Sequence, residues 1–363
     1  MGSQFPTTTS EVTAGWMTDA LRQSKVIPDG ASVAEVVLDP AGAGLGFMGE
    51  VTTVGVVYDG DVGDAPTDVV VKFPTQSPDI RAMMFPTRIY EREHRFYAEL
   101  ADQSPLRTPV IYHVTCEPAS EPDDERYVLV MENLAGLTIG DQVAGTTPAQ
   151  TKAAVEGLAA HHARFWNGVG LENADFIPII NGPLNQAGSA IYEASYPGFM
   201  EAFGAAILPE LEDFVSTYAA RRPRILDDLA AAPRTLVHFD FRADNLFFDD
   251  DGTVSVIDWQ AISQGGGAAD LGYFVSQNMT VDDRRANEVD LLKAYHDVLV
   301  ANGVTDYSED ALLADYRVGI ECGWIIPVMA VGTLDFTSDR AVALWTAVIE
   351  RTQAALVDHG FGS

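Results

Sequence analysis

The hydrophobic rhythm of the chain changes twice. Residues 11–27 carry a short helical pattern; from Ala31 the apolar positions fall into β-type runs at 33–38, 51–58, 68–73 and 126–131, parted by Gly, Asp and Pro clusters. That succession predicts a meander. Between the third and fourth runs, residues 88–100 are helical, with Ile89, Phe96 and Leu100 near one face at 3.6-residue spacing. After Leu134 the texture predicts helices over 148–166, 197–203, 209–219, 288–301, 309–318 and 340–357. One island interrupts them: in 235–259 three apolar runs surround a polar loop and an Asp-Asp-Asp-Gly turn at 249–252. The expectation is an α+β chain with an N-terminal helical arm (1–30), a lobe of antiparallel sheet and one main helix (31–134), and a larger, mainly helical lobe (135–363).

Composition narrows the classes. At 363 residues and 47% hydrophobic content the chain can fill two moderate cores. Cys116 and Cys322 lie far apart, which gives no support to a disulfide framework or a zinc site. Residues 1–10 lack the basic and apolar regions of a secretory leader, so a cytoplasmic location is expected. The most apolar stretch, 322–334, is shorter than a membrane span, contains Pro327 and is bordered by Glu321 and Asp335; it reads as a buried helix or helix pair. A formal charge of -31 argues against nucleic acid and anionic membranes as partners. It also means that any nucleotide site needs local cations.

The strongest chemical signal is the run 238–245, with His238, Asp240, Arg242, Asp244 and Asn245, followed after a hairpin by Asp258. Phosphoryl transfer needs a group to orient a hydroxyl and groups to hold magnesium on the phosphates. An Asp and an Asn five positions apart on one tight loop, with a second Asp on the returning strand, provide a base and two metal ligands. Competing chemistries lack their parts. There is no G-x-S-x-G elbow and no Walker A pattern. The adjacent His161 and His162 cannot turn both rings to one metal from a helix, so they read as core or surface histidines. Tyr273, Phe274 and Trp324 read as core aromatics before pocket ones.

The run resembles the catalytic loop of the aminoglycoside phosphotransferase and choline kinase superfamily, including its ecdysteroid-kinase-like branch, and the likeness spans nearly the whole chain. It implies a bilobal protein-kinase-like fold, with Asp240 as catalytic base, Asn245 and Asp258 as magnesium ligands, Arg242 beside the transferred phosphate and His238 bracing the loop. Phe239 departs from the pattern, since many relatives carry Gly there. The resemblance places a phosphate-binding lysine at Lys72 and its glutamate partner on the following helix. Glu93 is favoured over Glu91, because positions two apart cannot share a helix face. Gly44, Gly46 and Gly49 would let the backbone approach the phosphates. The backbone at Glu132 and Leu134 would hold the base, and Asp270 would stabilise the catalytic loop. The implied cofactors are ATP, with GTP as the alternative, and Mg2+; the implied substrate is a small-molecule alcohol. The short segment 265–272 leaves little room for a peptide platform, which disfavours a protein kinase. A nucleotide-binding pseudokinase is the other alternative. Neither the acceptor nor the oligomeric state is legible.

Overall fold

The computed structural model describes residues 5–38, 44–46, 49–333 and 338–362. The chain divides into two compact units, one formed by residues 1–102 and 108–136, the other by 103–107 and 137–363.

In the first unit, helix α1 (Ala14–Gln23) begins where the Thr13 side chain accepts the Trp16 N–H, a standard N-cap. It buries Met17 and Leu21 in one apolar cluster with Val54, Val69, Val71, Phe73, Val128 and Val130. The arm is therefore part of this unit's core. The strands are β1 (Ser32–Leu38), β2 (Gly44–Gly46), β3 (Gly49–Asp59), β4 (Asp68–Pro74), β5 (Ile111–Glu117) and β6 (Arg126–Glu132). All pair antiparallel in the order β1-β3-β4-β6-β5, with β2 on β3. The four expected strands pair in chain order, β1-β3-β4-β6, as the meander requires, and β5 adds itself outside β6. β5 was not expected: its residues are mostly half-buried and its register shifts between Ile111 and His113, so clean alternation never develops. Between β4 and β5 lie α2 (Pro78–Met84) and α3 (Ile89–Arg95), and α3 runs on into a π-turn over Phe96–Leu100.

The second unit holds short strands β7 (Thr138–Ile139), β8 (Arg234–Val237), β9 (Leu246–Phe248), β10 (Val254–Val256) and β11 (Ser263–Gly266). Its helices are α4 (Pro148–Arg164), α5 (Pro183–Gln186), α6 (Gly188–Phe203), α7 (Glu212–Ala231), α8 (Ala268–Asn278), α9 (Val281–Ala301), α10 (Glu309–Gly323), α11 (Ile325–Thr333) and α12 (Asp339–Asp358). Thr147 and Gln150 form a reciprocal capping box at α4. Thr280, Ser308 and Ser338 cap α9, α10 and α12. Helices α9 and α10 exceed their expected bounds, starting at Val281 and running to Gly323, and so do α6 and α7, because Pro197 lies inside α6 and Pro223 inside α7. A proline normally ends a helix. Here buried residues on both sides of each, Tyr192 and Phe199 in α6, Tyr218 and Ile225 in α7, keep the flanking turns in register.

Helix α8 escaped the periodicity argument altogether. Every one of its residues is buried, so it has no polar face to set a rhythm. It crosses α10 at backbone contact: a Cβ on Gly319 would lie 1.9 Å from the Ala268 carbonyl oxygen, and one on Gly272 would lie 2.4 Å from the Gly319 carbonyl carbon. Among the described residues no helix is long and apolar enough to cross a membrane.

This crossing predicts that Gly319→Ala destabilises the protein by roughly 2–3 kcal/mol, since rigid backbone must move to admit the methyl. Gly15→Ala, on α1 with no atom within 4 Å of the new Cβ, gains about 0.4–1 kcal/mol. Urea unfolding of the two variants against the parent protein checks both signs.

Candidate active site

In the first unit, Lys72 lies on β4 between Val51 of β3 and Leu129 of β6. Its Nζ donates to Glu93 Oε1 at 2.9 Å, with side-chain exposures of only 9% and 1%. The other Glu93 oxygen accepts the Tyr127 hydroxyl at 2.8 Å. Burial, and then the Glu93 carboxylate, push the Tyr127 phenol well above its usual range, so it remains a donor. The Tyr127 ring stacks on Tyr90 with centroids 5.5 Å apart. A buried ion pair is sustainable only when its remaining lone pairs are met in this way. Glu91, on another face of α3, instead binds Arg88 at 2.6 Å on the surface.

Gly44 and Gly46 lie on β2, opposite Val51 and Gly49 of β3. A Cβ at Gly49 would lie 2.6 Å from the Phe73 carbonyl oxygen, so β3 and β4 come close there only because the residue is glycine. The rest of the glycine-rich stretch, 39–43 and 47–48, lies outside the described residues. Glu132 ends β6, and its N–H donates to the Val110 carbonyl at 2.8 Å. That N–H is spent, so the expectation that Glu132 holds the nucleotide base narrows to its carbonyl. Leu134 is buried just beyond, after a turn fastened by the Asn133 side chain to Asp68 and to the Ala135 N–H.

In the second unit, β8 delivers the chain into the loop 238–245, and the β9–β10 hairpin returns it at Asp258. The carboxylate of Asp270, in the first turn of α8, accepts the backbone N–H groups of His238 and Phe239, each at 2.7 Å. Phe239 then adopts the left-handed conformation at φ 65°, and Asp258 does so at φ 66°. This is a backbone that glycine, the residue the resemblance leads one to expect here, adopts without cost. His238 is fully buried; its Nδ1 accepts the Asp240 N–H at 3.3 Å, so Nε2 carries the proton donated to the Ile257 carbonyl at 3.0 Å. It ties the loop to the strand that precedes Asp258.

Asn245 donates its Nδ2 to the Asp240 carbonyl at 2.9 Å and to Asp240 Oδ2 at 3.0 Å. This turns its Oδ1, the one amide atom able to ligate a cation, to the other side. Its backbone carbonyl accepts the Ile257 N–H, which brings Asp258 alongside. An amide oxygen and a carboxylate form the hard, all-oxygen donor set that suits magnesium, so these residues fit the implied metal. Arg242 lies 3.4 Å from Asp240 and 3.0 Å from Asp244. Burial disfavours its charge, but these carboxylates hold it firmly protonated. Burial, reinforced by the charge of Asp258, raises the Asp240 carboxyl above the usual aspartate range against the pull of Arg242.

Four supports of this loop had no signature in the sequence. Asn278, at the end of α8, accepts the Ala243 N–H at 2.8 Å. Tyr273, expected as core, is buried but brings its hydroxyl to 3.4 Å from Asp240 Oδ1. Gln142 accepts from Arg242, and its N–H reaches Asp244. His162, read as a core or surface histidine, is buried and bridges the Tyr295 hydroxyl and Asp270 at 2.7 and 3.3 Å. Its neighbour His161 contacts the Leu236 carbonyl, and burial holds it well below the ordinary histidine range. Phe274 and Trp324 are core, as expected.

This is the fold of the protein-kinase-like small-molecule phosphotransferases. An amicoumacin kinase in complex with AMP-PNP, Ca2+ and Ami has a TM-score of 0.56 at 10% identity, over 92% of each chain. An aminoglycoside 2'-phosphotransferase-IIIa variant in complex with GDP has 0.53 at 13%, over 97% of this chain and 100% of that one. Choline kinase from Cryptosporidium parvum Iowa II has 0.50 at 13%, over 94% and 96%. No curated protein sequence matches. The sequence profile of the ecdysteroid kinase-like family matches residues 43–304. The chain belongs to the ecdysteroid kinase-like family.

The left-handed backbone at Phe239 predicts that Phe239→Gly is more stable than Phe239→Ala by about 1–2 kcal/mol, the reverse of the usual order of these residues. Both variants delete the ring, so the difference in their unfolding free energies isolates the backbone.

Proposed function

We propose that the protein uses ATP and Mg2+ to phosphorylate a hydroxyl group of a small molecule. The observation that carries this reading is the loop 238–245: the Asn245 Nδ2 is bonded to Asp240, which leaves its Oδ1 on the other side of the amide, and Asp258 is drawn alongside.

In this reading Asp240 Oδ orients the acceptor hydroxyl and takes its proton as the acceptor oxygen bonds to the γ-phosphorus and the bond to the ADP oxygen breaks. No phosphoenzyme is required. Asn245 and Asp258 would hold Mg2+, which when bound neutralises charge on the phosphate oxygens. Arg242 adds a fixed cation at the loop, and Tyr273 fixes the Asp240 carboxylate. In the first unit, Lys72, set by Glu93, is the ligand of the nucleotide phosphates, and Gly44, Gly46 and Gly49 allow backbone approach to them. The Glu132 carbonyl and the Leu134 backbone take the base. GTP remains the alternative donor, in keeping with a relative solved with GDP. The charge of -31 favours a neutral or cationic acceptor over an anionic one.

Asp240→Ala is expected to lower kcat by about 10^2–10^4-fold while leaving ATP affinity within a few-fold, the signature of a lost general base. A magnesium-dependent ATP-consumption assay against amino alcohols, aminoglycosides, steroid alcohols and hydroxy acids, paired with nucleotide titration, measures both. Nucleotide binding with no turnover on any acceptor identifies a pseudokinase, and absence of nucleotide binding rejects the reading.

The raised Asp240 carboxyl also sets the pH response. Activity requires its deprotonated form, so kcat/KM climbs with pH and levels off, with the limb above the ordinary aspartate range. In Asp240→Asn that limb disappears from the residual rate.

A further inference from the structure

Residues 5–12 cross the corner of the sheet from which β2 and the start of β3 extend. Both ends of this stretch are sunk in the core, since Phe5 and Val12 belong to the apolar cluster that holds Val54, Val71 and Phe73. Between them the chain makes one tight turn, Thr9–Glu11. It is braced from within: the Thr7 N–H and hydroxyl donate to Glu11 Oε2 at 2.7 and 3.1 Å.

The turn is tied to two neighbouring strands. Thr9 donates both its hydroxyl and its N–H, the latter at 3.3 Å, to Oε1 of Glu50 on β3. The Thr7 carbonyl accepts Gln76 Nε2 at 3.0 Å, and the same amide group donates to the carbonyl of Pro74, the last residue of β4, also at 3.0 Å. Pro74 pairs with Gly49, and Glu50 pairs with Leu45 of β2 and Phe73 of β4. The stretch therefore joins β3 and β4 at the last rung of their ladder, beside the glycine that the Phe73 carbonyl requires. Side chains alternate along a strand, so Glu50 shares a face with Val54 and Val56, the face that α1 covers. Lys72 is paired with Val51 and points to the opposite face, where it meets Glu93. Thr9 thus holds the strands from behind and takes no space on the lysine side.

We propose that residues 7–9 are a positioning strap for nucleotide binding: Thr9, acting through Glu50, holds β2 and the start of β3 in the arrangement their backbone needs to meet the phosphates. Glycine-rich backbone has more conformational freedom to lose on binding than any other, and a tie made beforehand removes part of that loss. Gln76 gives the strap its second anchor, so that β4 and its Lys72 are held in the same frame. The role in binding rests on the reading of Lys72 and the glycines as nucleotide ligands, whereas the tie itself does not.

Thr9→Val keeps the shape and the N–H but removes the hydroxyl, Glu50→Ala removes the acceptor, and Thr9→Ser restores the bond. Amide hydrogen exchange of the full chain without nucleotide should be about fivefold or more faster over residues 49–53 in Thr9→Val and Glu50→Ala, and unchanged over 126–131. Calorimetric titration with AMP-PNP and Mg2+ should give an affinity about three- to tenfold weaker in each of these two variants. The double variant should bind no more weakly than Glu50→Ala alone, because both changes break one contact. Thr9→Ser should match the parent protein in both measurements. Unchanged exchange over 49–53, or equal acceleration across the whole sheet, overturns the strap. Faster exchange with unchanged AMP-PNP affinity, or losses that add in the double variant, overturns its part in binding. Exchange that responds as expected in a chain that binds no AMP-PNP leaves the strap standing and rejects the kinase reading instead.

Discussion

The second unit depends on one carboxylate. Asp270 has no exposed surface, and each of its oxygens accepts a main-chain N–H from the loop that carries Asp240. Those two bonds hold consecutive peptide groups facing one acceptor, which a regular strand cannot do, since its N–H groups alternate in direction. The left-handed turn at Phe239 follows, and with it the direction in which Asp240 leaves the backbone. A buried carboxyl group must have its oxygens met by hydrogen-bond donors. Asp270 finds them in the loop and in His162, which is itself positioned by Tyr295. The stability of the core and the shape of the loop are thus one arrangement.

The first unit solves a similar problem by different means. A lysine in the middle of a sheet is tolerable only with a partner, and Glu93 serves as one because Tyr127 satisfies its second oxygen. Both units therefore bury a carboxylate that orients a second group. In one the oriented group is an ammonium, in the other a stretch of backbone.

Legibility in the sequence followed the physics of each element. Pieces with clear ends or clear contrast were readable: α4, α10 and α12 carry caps at their expected starts, and β3 and β4 alternate or run apolar between turn residues. The loop 238–245 was readable because its chemistry needs an Asp and an Asn at fixed separation; helix geometry set Glu93 and Glu91 on different faces, and the family resemblance at Phe96-Tyr97 chose between them. Elements without contrast were not. Helix α8 is buried all round, and β5 is half-buried throughout with a bulge. Helices α6 and α7 continue through prolines that local rules read as boundaries. The supports of the loop were invisible for a further reason: Gln142, His162, Tyr273 and Asn278 reach it from positions far along the chain, and long-range proximity leaves no local pattern. The departure at Phe239 was visible as a residue but not as a conformation, and only the backbone angle shows what it costs.

Helix α8 holds the backbone of the loop at two places, through Asp270 near its beginning and Asn278 at its end, with the Tyr273 hydroxyl on the Asp240 side chain between them. Eight residues of helix separate them, a rigid span of about 12 Å. The helix thus acts as a caliper, and the stretch from His238 to Ala243 must fit between its jaws. Surface loops usually accept insertions and deletions freely; this one can change side chains but not length, because an added residue would pull one end off its anchor. Descendants of this sequence are free to diversify the hairpin at 249–252, which no such gauge measures, while the segment before it keeps its count.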